Sequence, residues 1–300
     1  MKRLFYIFLM LSHLGLYAQD ANTKKPVFLN MNEALESELV VAQLNLRDQF
    51  LFVIPDDILK FKSLEFLNLM RNNIENFSPI LFNFNKLEVL ILRQNSIKYL
   101  PEDIRKLEKI KKLDLALNNL SKLPDAVGNL RKLEYLYLSS NSITHLPETI
   151  GNCKNIQYLD LDNNQLSEVP NSFSKLQNLK KLNFSGNQFY QIDNDWMNLK
   201  NLVELNLENN QLSHLPENLG NLKNLNILNA NNNKLKEMPD SLQNLKNLTF
   251  LSLGGNKIKK LPKDIAHLTS LRTLILVGNP IDSMEQSRIK KELPNCAIYF

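Results

Sequence analysis

The 300-residue chain is poor in the residues that organise several common classes of protein. It has two cysteines, so the disulfide framework that stabilises many small secreted domains is excluded. Its eight glycines are too few for a glycine-rich phosphate-binding loop, and Gly128, Gly151 and Gly220 recur at one turn. No uninterrupted apolar run reaches the roughly 20 residues that cross a bilayer. We therefore expect no membrane insertion of the mature chain.

Residues 1–18 have the order of features of a secretory signal peptide. Two basic residues follow Met1, an apolar run extends from Leu4 to Leu11, and a second apolar patch ends at Ala18. Cleavage after Ala18 gives an exported chain that is secreted, periplasmic or held at the cell surface. The alternative is an uncleaved membrane anchor, for which the interrupted apolar run is short.

The mature chain carries little net charge. Removal of Lys2 and Arg3 leaves 34 of the 36 basic residues against 31 acidic residues, so the net charge falls from +5 to +3. Such a small charge, spread evenly along the sequence, predicts neither nucleic acid nor an anionic membrane as the partner.

A period of 23 residues runs through the chain without an insertion, with the pattern L-x-x-L-x-L-x-x-N-x-L/I-x-x-L-P-x-x-I-x-x-L-x-x. The units start at Val41, Leu64, Leu87, Ile110, Leu133, Ile156, Leu179, Leu202, Leu225, Leu248 and Leu271. Apolar residues alternate in the first half of each unit, which is typical of a strand with one buried face. They recur every three residues in the second half, after a proline that suits the first turn of a short helix. Each unit is predicted to be a strand, a turn and a short return.

This pattern resembles the leucine-rich repeat family over essentially the whole mature chain. A single unit buries too little apolar surface to offset the ordering of its own backbone, so neighbouring units must stack. The resemblance implies an α/β fold, a right-handed solenoid in the form of a curved arc. A parallel sheet is expected on the concave face, with short helical or irregular returns on the convex face.

One asparagine recurs where each strand ends and the chain turns inward. Backbone N–H and C=O groups lose their strand partners there, and a side-chain amide offers both donors and an acceptor to replace them. We therefore predict a structural ladder, absent only from the first unit, where Gln49 takes the position. The ladder comprises Asn72, Asn95, Asn118, Asn141, Asn164, Asn187, Asn210, Asn233, Asn256 and Asn279.

The ends of the array are predicted to be caps. After the signal peptide, residues 19–40 form a linker and a capping helix that begins beside Asn30. Eleven repeats occupy 41–283, the last merging into a C-terminal cap at 284–300. In this cap Cys296, Ile298 and Phe300 alternate, which resembles the closing strand of many bacterial members of the family.

The two cysteines are predicted to be free buried thiols. Cys153 replaces a core leucine in the fifth unit, and Cys296 lies in the cap six units further on. With strands about 4.8 Å apart the two are separated by roughly 30 Å. A disulfide requires about 7 Å or less between the Cα atoms.

No constellation for catalysis or cofactor binding is visible in the sequence. His145 and His214 occupy the same position in units three apart, which places them roughly 14 Å from each other. That distance is too great to share a metal with bonds of about 2 Å. No histidine is placed with both a nucleophile and an orienting acid. We predict that the chain is no enzyme and binds no cofactor or metal.

The third, fifth and seventh residues of each unit point out of the concave face, because the fourth and sixth point into the core. They form a central cluster with the composition of a protein interface. That cluster comprises Tyr135, Tyr137, Tyr158, Asp114, Asp160, Asp162 and Lys112. A second, more apolar patch comprises Phe66, Met70, Val89, Ile91 and Arg93, and a third comprises Ile227, Phe250, Ile275 and Val277.

Three functional hypotheses follow from this sequence. The first is an exported, monomeric, non-enzymatic module that binds a protein on its concave face. The second is a carbohydrate or cell-wall binding module, in which tyrosine rings stack on sugars. The third is a cytoplasmic signalling scaffold, as in intracellular members of the family.

Overall fold

The computed structural model describes residues 21–193 and 195–300, and the predicted signal peptide 1–18 lies outside them. In these residues twelve three-residue strands form one parallel sheet whose order follows the sequence. The strands are β1 Gln43–Asn45, β2 Phe66–Asn68, β3 Val89–Ile91, β4 Lys112–Asp114, β5 Tyr135–Tyr137, β6 Tyr158–Asp160, β7 Lys181–Asn183, β8 Glu204–Asn206, β9 Ile227–Asn229, β10 Phe250–Ser252, β11 Thr273–Ile275 and β12 Ala297–Tyr299.

From β1 to β11 each strand residue pairs with the residue 23 positions later, as in Tyr135 with Tyr158. The middle residue of each of these strands is a leucine, and all eleven are buried. Because the register never shifts, the same position of successive units forms a straight row across the sheet. The predicted α/β solenoid with a parallel sheet is confirmed.

The returns on the convex side are short 3₁₀ helices rather than α-helices. They are Asp56–Lys60, Pro79–Asn83, Glu102–Lys106, Asp125–Asn129, Glu148–Asn152, Asn171–Lys175, Asp195–Asn198, Glu217–Asn221, Asp240–Asn244 and Ile265–His267. In most of them a proline lies at the N-cap, just before the first turn where the sequence pattern placed it. A 3₁₀ helix rises further per residue than an α-helix, so five residues suffice to cross the back of a unit.

The core is a continuous column of leucine and isoleucine that runs the length of the sheet. Aromatic side chains interrupt it in the sixth and seventh units, where Phe173, Phe184, Phe189 and Trp196 are all buried. The Phe184 and Phe189 ring centroids are 4.9 Å apart, and Trp196 meets Phe173 and Phe184 edge-on. Trp196 therefore fills the core in the seventh unit, where Asp193 stands in place of the proline.

The asparagine ladder satisfies the backbone of two units at a time. The Asn118 amide nitrogen donates to the carbonyl oxygens of Leu92, one unit back, and Leu115, both at 3.0 Å. Its side-chain oxygen accepts from the backbone N–H of Ile97, also at 3.0 Å. The same three bonds recur around the other nine asparagines. These asparagines are structural because each binds buried backbone that has no strand partner.

Two α-helices lie at the ends of the array. Helix α1, Met31–Glu36, is capped by the side chain of Asn30 and follows a bridge between Phe28 and Leu44. Helix α2, Ser283–Glu292, precedes β12, and Cys296, Ile298 and Phe300 pack against the core from that end. In the described ranges no helix combines the length and the apolar character that a membrane crossing requires.

Both cysteines are free, but only one is fully buried. Cys153 lies in the core, and burial raises its pKa to about 12. Cys296 is partly exposed, which corrects the prediction of two buried thiols. The reason is that β12 is an edge strand, so no further unit covers it.

The adjacent residues Asn118 and Asn119 offer a matched test of the ladder. Asn118→Ala removes the amide that serves buried carbonyl and N–H groups, so we expect a loss of about 3 kcal/mol in the free energy of unfolding. Asn119 is exposed, and Asn119→Ala should change the free energy of unfolding by less than about 0.5 kcal/mol. Urea denaturation followed by circular dichroism measures both. Equal losses in the two variants would contradict the structural role of the ladder.

Candidate concave-face binding site

The structure brings the central cluster together on adjacent strands β4, β5 and β6. Lys112, Tyr135 and Tyr158 share one row of the sheet, and Asp114, Tyr137 and Asp160 share the next. Three-residue strands with a leucine in the middle place these side chains on the face opposite the core.

Two tyrosines of this cluster contact each other, and one of them contacts a cation. The rings of Tyr137 and Tyr158 have centroids 5.0 Å apart and planes inclined at 35°. The Lys112 Nζ atom lies 5.0 Å from the centroid of the Tyr137 ring, within the range of a cation–π interaction. Tyr135 remains 38% exposed, whereas Tyr137 is 9% exposed in the 300-residue chain. Tyr135 is therefore the accessible aromatic side chain of a pre-ordered group.

Two of the predicted binding acids also have a structural task. Asp114 accepts a hydrogen bond from the backbone N–H of Ala116, and Asp160 accepts one from that of Asp162. Both are buried, and asparagines make the same bond at this fifth position in other units. The fifth position thus fixes the end of the strand. Asparagine recurs at this position in the sequence, and the prediction that Asp114 and Asp160 bind a partner did not take this recurrence into account.

Burial changes the charge behaviour of the acidic side chains. It raises the pKa of Asp114 to about 6, against the opposing effect of the Arg93 guanidinium. The pKa of Asp162 is also raised to about 6, first by burial and then by repulsion from Asp160. Hydrogen bonds from Ser185 and Asn163 act in the opposite direction on Asp162. These two carboxyl groups therefore lose their protons, and the cluster gains negative charge, as the pH rises through about 6.

The second predicted patch is largely buried in the 300-residue chain. Phe66, Met70 and Ile91 form a separate small cluster, against which Val89 and Ala21 pack. Only Val89 and Arg93 of this patch remain partly accessible. These side chains were predicted to be a binding surface, but they pack on one another and on the segment that precedes the cap. In the third patch Phe250 is half-buried, and Val277 is exposed.

The histidines make local contacts. The Nδ1 atom of His145 lies 3.0 Å from the Thr144 hydroxyl, and that of His214 lies 3.0 Å from the Ser213 hydroxyl. Among the described residues no carboxylate hydrogen-bonds to either ring, and no three His, Cys, Asp or Glu side chains are placed to hold a metal ion. Each contact joins neighbours in the chain and gives no catalytic constellation.

A second row of asparagines, missed in the sequence, lies in the loops that lead from the convex side back to the strands. Each side-chain amide donates to a backbone carbonyl oxygen 24 residues earlier, at 2.7 to 2.9 Å. The row comprises Asn155, Asn178, Asn201, Asn224 and Asn247. Its 23-residue spacing was visible, but the residues lie in the last, variable position of the repeat pattern.

Comparison with known proteins places this geometry among repeat proteins. A family model described as leucine-rich repeat region matches residues 125–210 and 191–296, and one described as leucine rich repeat matches 62–120 and 85–143. The comparison with curated proteins yields no match.

Solved structures share the architecture. A leucine-rich repeat protein of Leptospira interrogans is 28% identical, with a TM-score of 0.55 over 86% of this chain and 83% of that one. An internalin of Listeria monocytogenes, 23% identical, has a TM-score of 0.73 over 86% and 73%, which shows the fold alone. The plant peptide hormone receptor RGFR1 in complex with RGF2 is 26% identical, with a TM-score of 0.59. That match covers 75% of this chain and 45% of the receptor chain.

The raised pKa of Asp162 predicts a pH-dependent contribution to stability. Because its pKa is about 6 in the folded chain and 3.8 in the reference state, the folded chain holds the proton more tightly. The stabilising effect of the protonated Asp162 side chain is present below about pH 4 and is lost as the pH rises through 6. Asp162→Asn should therefore raise the melting temperature at pH 7.5 and leave it nearly unchanged at pH 3.5.

The control for this prediction is Glu237→Gln, at an exposed acid on the flank of the ninth unit. Differential scanning calorimetry of both variants and the parent at the two pH values measures the difference. A shift for Asp162→Asn that is the same at both pH values would show that charge is not its cause.

Proposed function

Because this chain belongs to the leucine-rich repeat family, we propose that it is an exported, non-enzymatic module that binds a protein partner on its concave sheet. The observation that carries the proposal is the packing of Tyr137 against Tyr158 and Lys112, with Tyr135 on the same three adjacent strands. Leucine-rich repeat structures commonly bind proteins, and the similar plant receptor is in complex with RGF2.

The side chains of the tyrosine cluster are ordered before a partner binds. Tyr137 is fixed between the Tyr158 ring and the Lys112 ammonium group, so little side-chain entropy remains to be lost when a partner docks. Tyr135 projects beside it and supplies an aromatic surface with a polar end, the chemistry common at binding hot spots. The acids Asp160 and Asp162 border this group and favour a partner with complementary basic side chains.

Export is supported by the order of features in residues 1–18. We expect the protein recovered from its native cell to begin at Gln19, because cleavage after Ala18 removes the apolar segment. N-terminal sequencing or intact-mass analysis measures this directly. A native protein that retains Met1 and fractionates with the cytoplasm would support the signalling scaffold instead.

A photo-crosslinking amino acid at position 135 tests where the partner binds. We expect a crosslinked protein species when the probe replaces Tyr135, and none when it replaces Tyr190, which is 57% exposed outside the sheet. With the captured partner identified, Tyr135→Ala/Tyr158→Ala should weaken its binding by at least about tenfold, whereas Tyr190→Ala should not. Equal crosslinking from both positions would contradict binding on the concave face.

A carbohydrate or cell-wall ligand is the second candidate, because exposed tyrosine rings such as Tyr135 stack on sugars as readily as on proteins. A glycan array probed with the parent protein and with Tyr135→Ala/Tyr158→Ala separates the two candidates. Strong sugar binding that the double substitution abolishes would replace the protein-binding proposal.

A further inference from the structure

A basic edge runs along the side of the solenoid where the chain returns from the convex face to the sheet. It is formed by Arg131, Lys132, Lys154, Lys200, Lys223 and Lys246, all of them exposed. These residues lie outside the concave surface considered above, and the sequence pattern assigns them no role in the core.

The last two residues of each repeat unit show that this edge lacks acidic residues. In six consecutive units these pairs are 131–132, 154–155, 177–178, 200–201, 223–224 and 246–247, with the letters RK, KN, QN, KN, KN and KN. None of the twelve residues is acidic. The fold thus aligns these basic residues, because every 23rd residue lies at the same edge.

The second asparagine row holds these cations in place. The side chain of Asn224 donates to the carbonyl oxygen of Lys200 at 2.8 Å, and that of Asn247 donates to the carbonyl oxygen of Lys223 at 2.9 Å. Asn178 does the same for Lys154. Because each loop is bonded to the next, cations in adjacent units are spaced by about one strand separation, on the order of 5 Å, and Lys154 and Lys200 by two, with Gln177 between them.

The basic side chains of the edge have no carboxylate partner in residues 21–193 and 195–300, where no salt bridge involves any of the six. Lys246 donates a hydrogen bond to the carbonyl oxygen of His267. The nearest lysines with such a bridge lie outside the edge, Lys111 with Glu88 and Lys181 with Glu204.

The shape and composition of the edge narrow the class of ligand. A row of cations from five of six consecutive units matches a linear polymer with regularly repeated anionic groups. Single-stranded nucleic acid would call for aromatic side chains on which bases stack, and an anionic membrane for apolar side chains that insert. At the twelve residues listed above the sequence provides neither kind, only Lys, Arg, Asn and Gln. Asparagine and glutamine suit the hydroxyl groups of sugars.

We propose that the basic edge binds a linear acidic polysaccharide, whose carboxylate or sulfate groups pair with the lysines while sugar hydroxyls meet the intervening amides. This site is separate from the concave face and does not depend on the proposed protein partner. It gives the protein a means of being retained on an acidic glycan while the sheet stays accessible.

The test measures binding of polygalacturonate to the purified protein by biolayer interferometry. We expect the triple variant Lys200→Gln/Lys223→Gln/Lys246→Gln to bind at least about tenfold more weakly. The matched control, Lys236→Gln/Lys257→Gln/Lys259→Gln, removes the same charge from exposed lysines elsewhere and should bind within about twofold of the parent. Neutral dextran should not bind, and raising the salt from about 50 to 300 mM should release polygalacturonate.

Three results would overturn the proposal. One is an equal loss of binding in both triple variants, which would show an effect of net charge without a site. Another is dextran binding at the affinity of polygalacturonate. The third is tighter binding of single-stranded poly(dT) of matched charge, which would assign the edge to nucleic acid. Because Tyr135→Ala/Tyr158→Ala leaves the edge intact, this variant should bind polygalacturonate like the parent. The experiments therefore test the polysaccharide site and the concave protein-binding site independently.

Discussion

Buried backbone groups without strand partners are the constraint on which this structure depends. A three-residue strand is too short to satisfy the turn that follows it, and each turn enters the core. One side-chain amide per unit, such as Asn118, replaces the missing bonds and ties each turn to the turn before it. The leucine core alone would tolerate other packings, whereas the ladder requires an unchanging 23-residue register. The straight rows of the sheet and of the basic edge follow from that register.

The sequence was sufficient for the fold because the same physical demand recurs in every unit. Eleven copies made the strand, the turn and the apolar spacing plain, even where one copy departs from the pattern, as at Trp196. The form of the returns could not be read in this way, since a spacing of three fits both a 3₁₀ and an α-helical turn. Their length, five residues or fewer, decided the outcome.

The candidate site was only partly predictable. Alternation correctly placed Tyr135 and Tyr158 on neighbouring strands, but a position that faces outward need not be accessible. Ile91 faces out of the sheet, yet it is buried and packs with Phe66 and Met70. Asp114 likewise reads as a surface acid, yet it binds the backbone of Ala116. Exposure depends on neighbours from other units, which a single repeat does not reveal.

The two proposed surfaces lie on one repeat scaffold and share no residues. In this sheet every strand pairs only with its predecessor and successor in the sequence. A duplication or deletion of one complete unit would therefore lengthen or shorten the arc while leaving every remaining junction unchanged. The length of such a protein can therefore change in evolution by one 23-residue unit at a time. An insertion or deletion that is not a whole multiple of 23 residues would interrupt the asparagine ladder where it occurs.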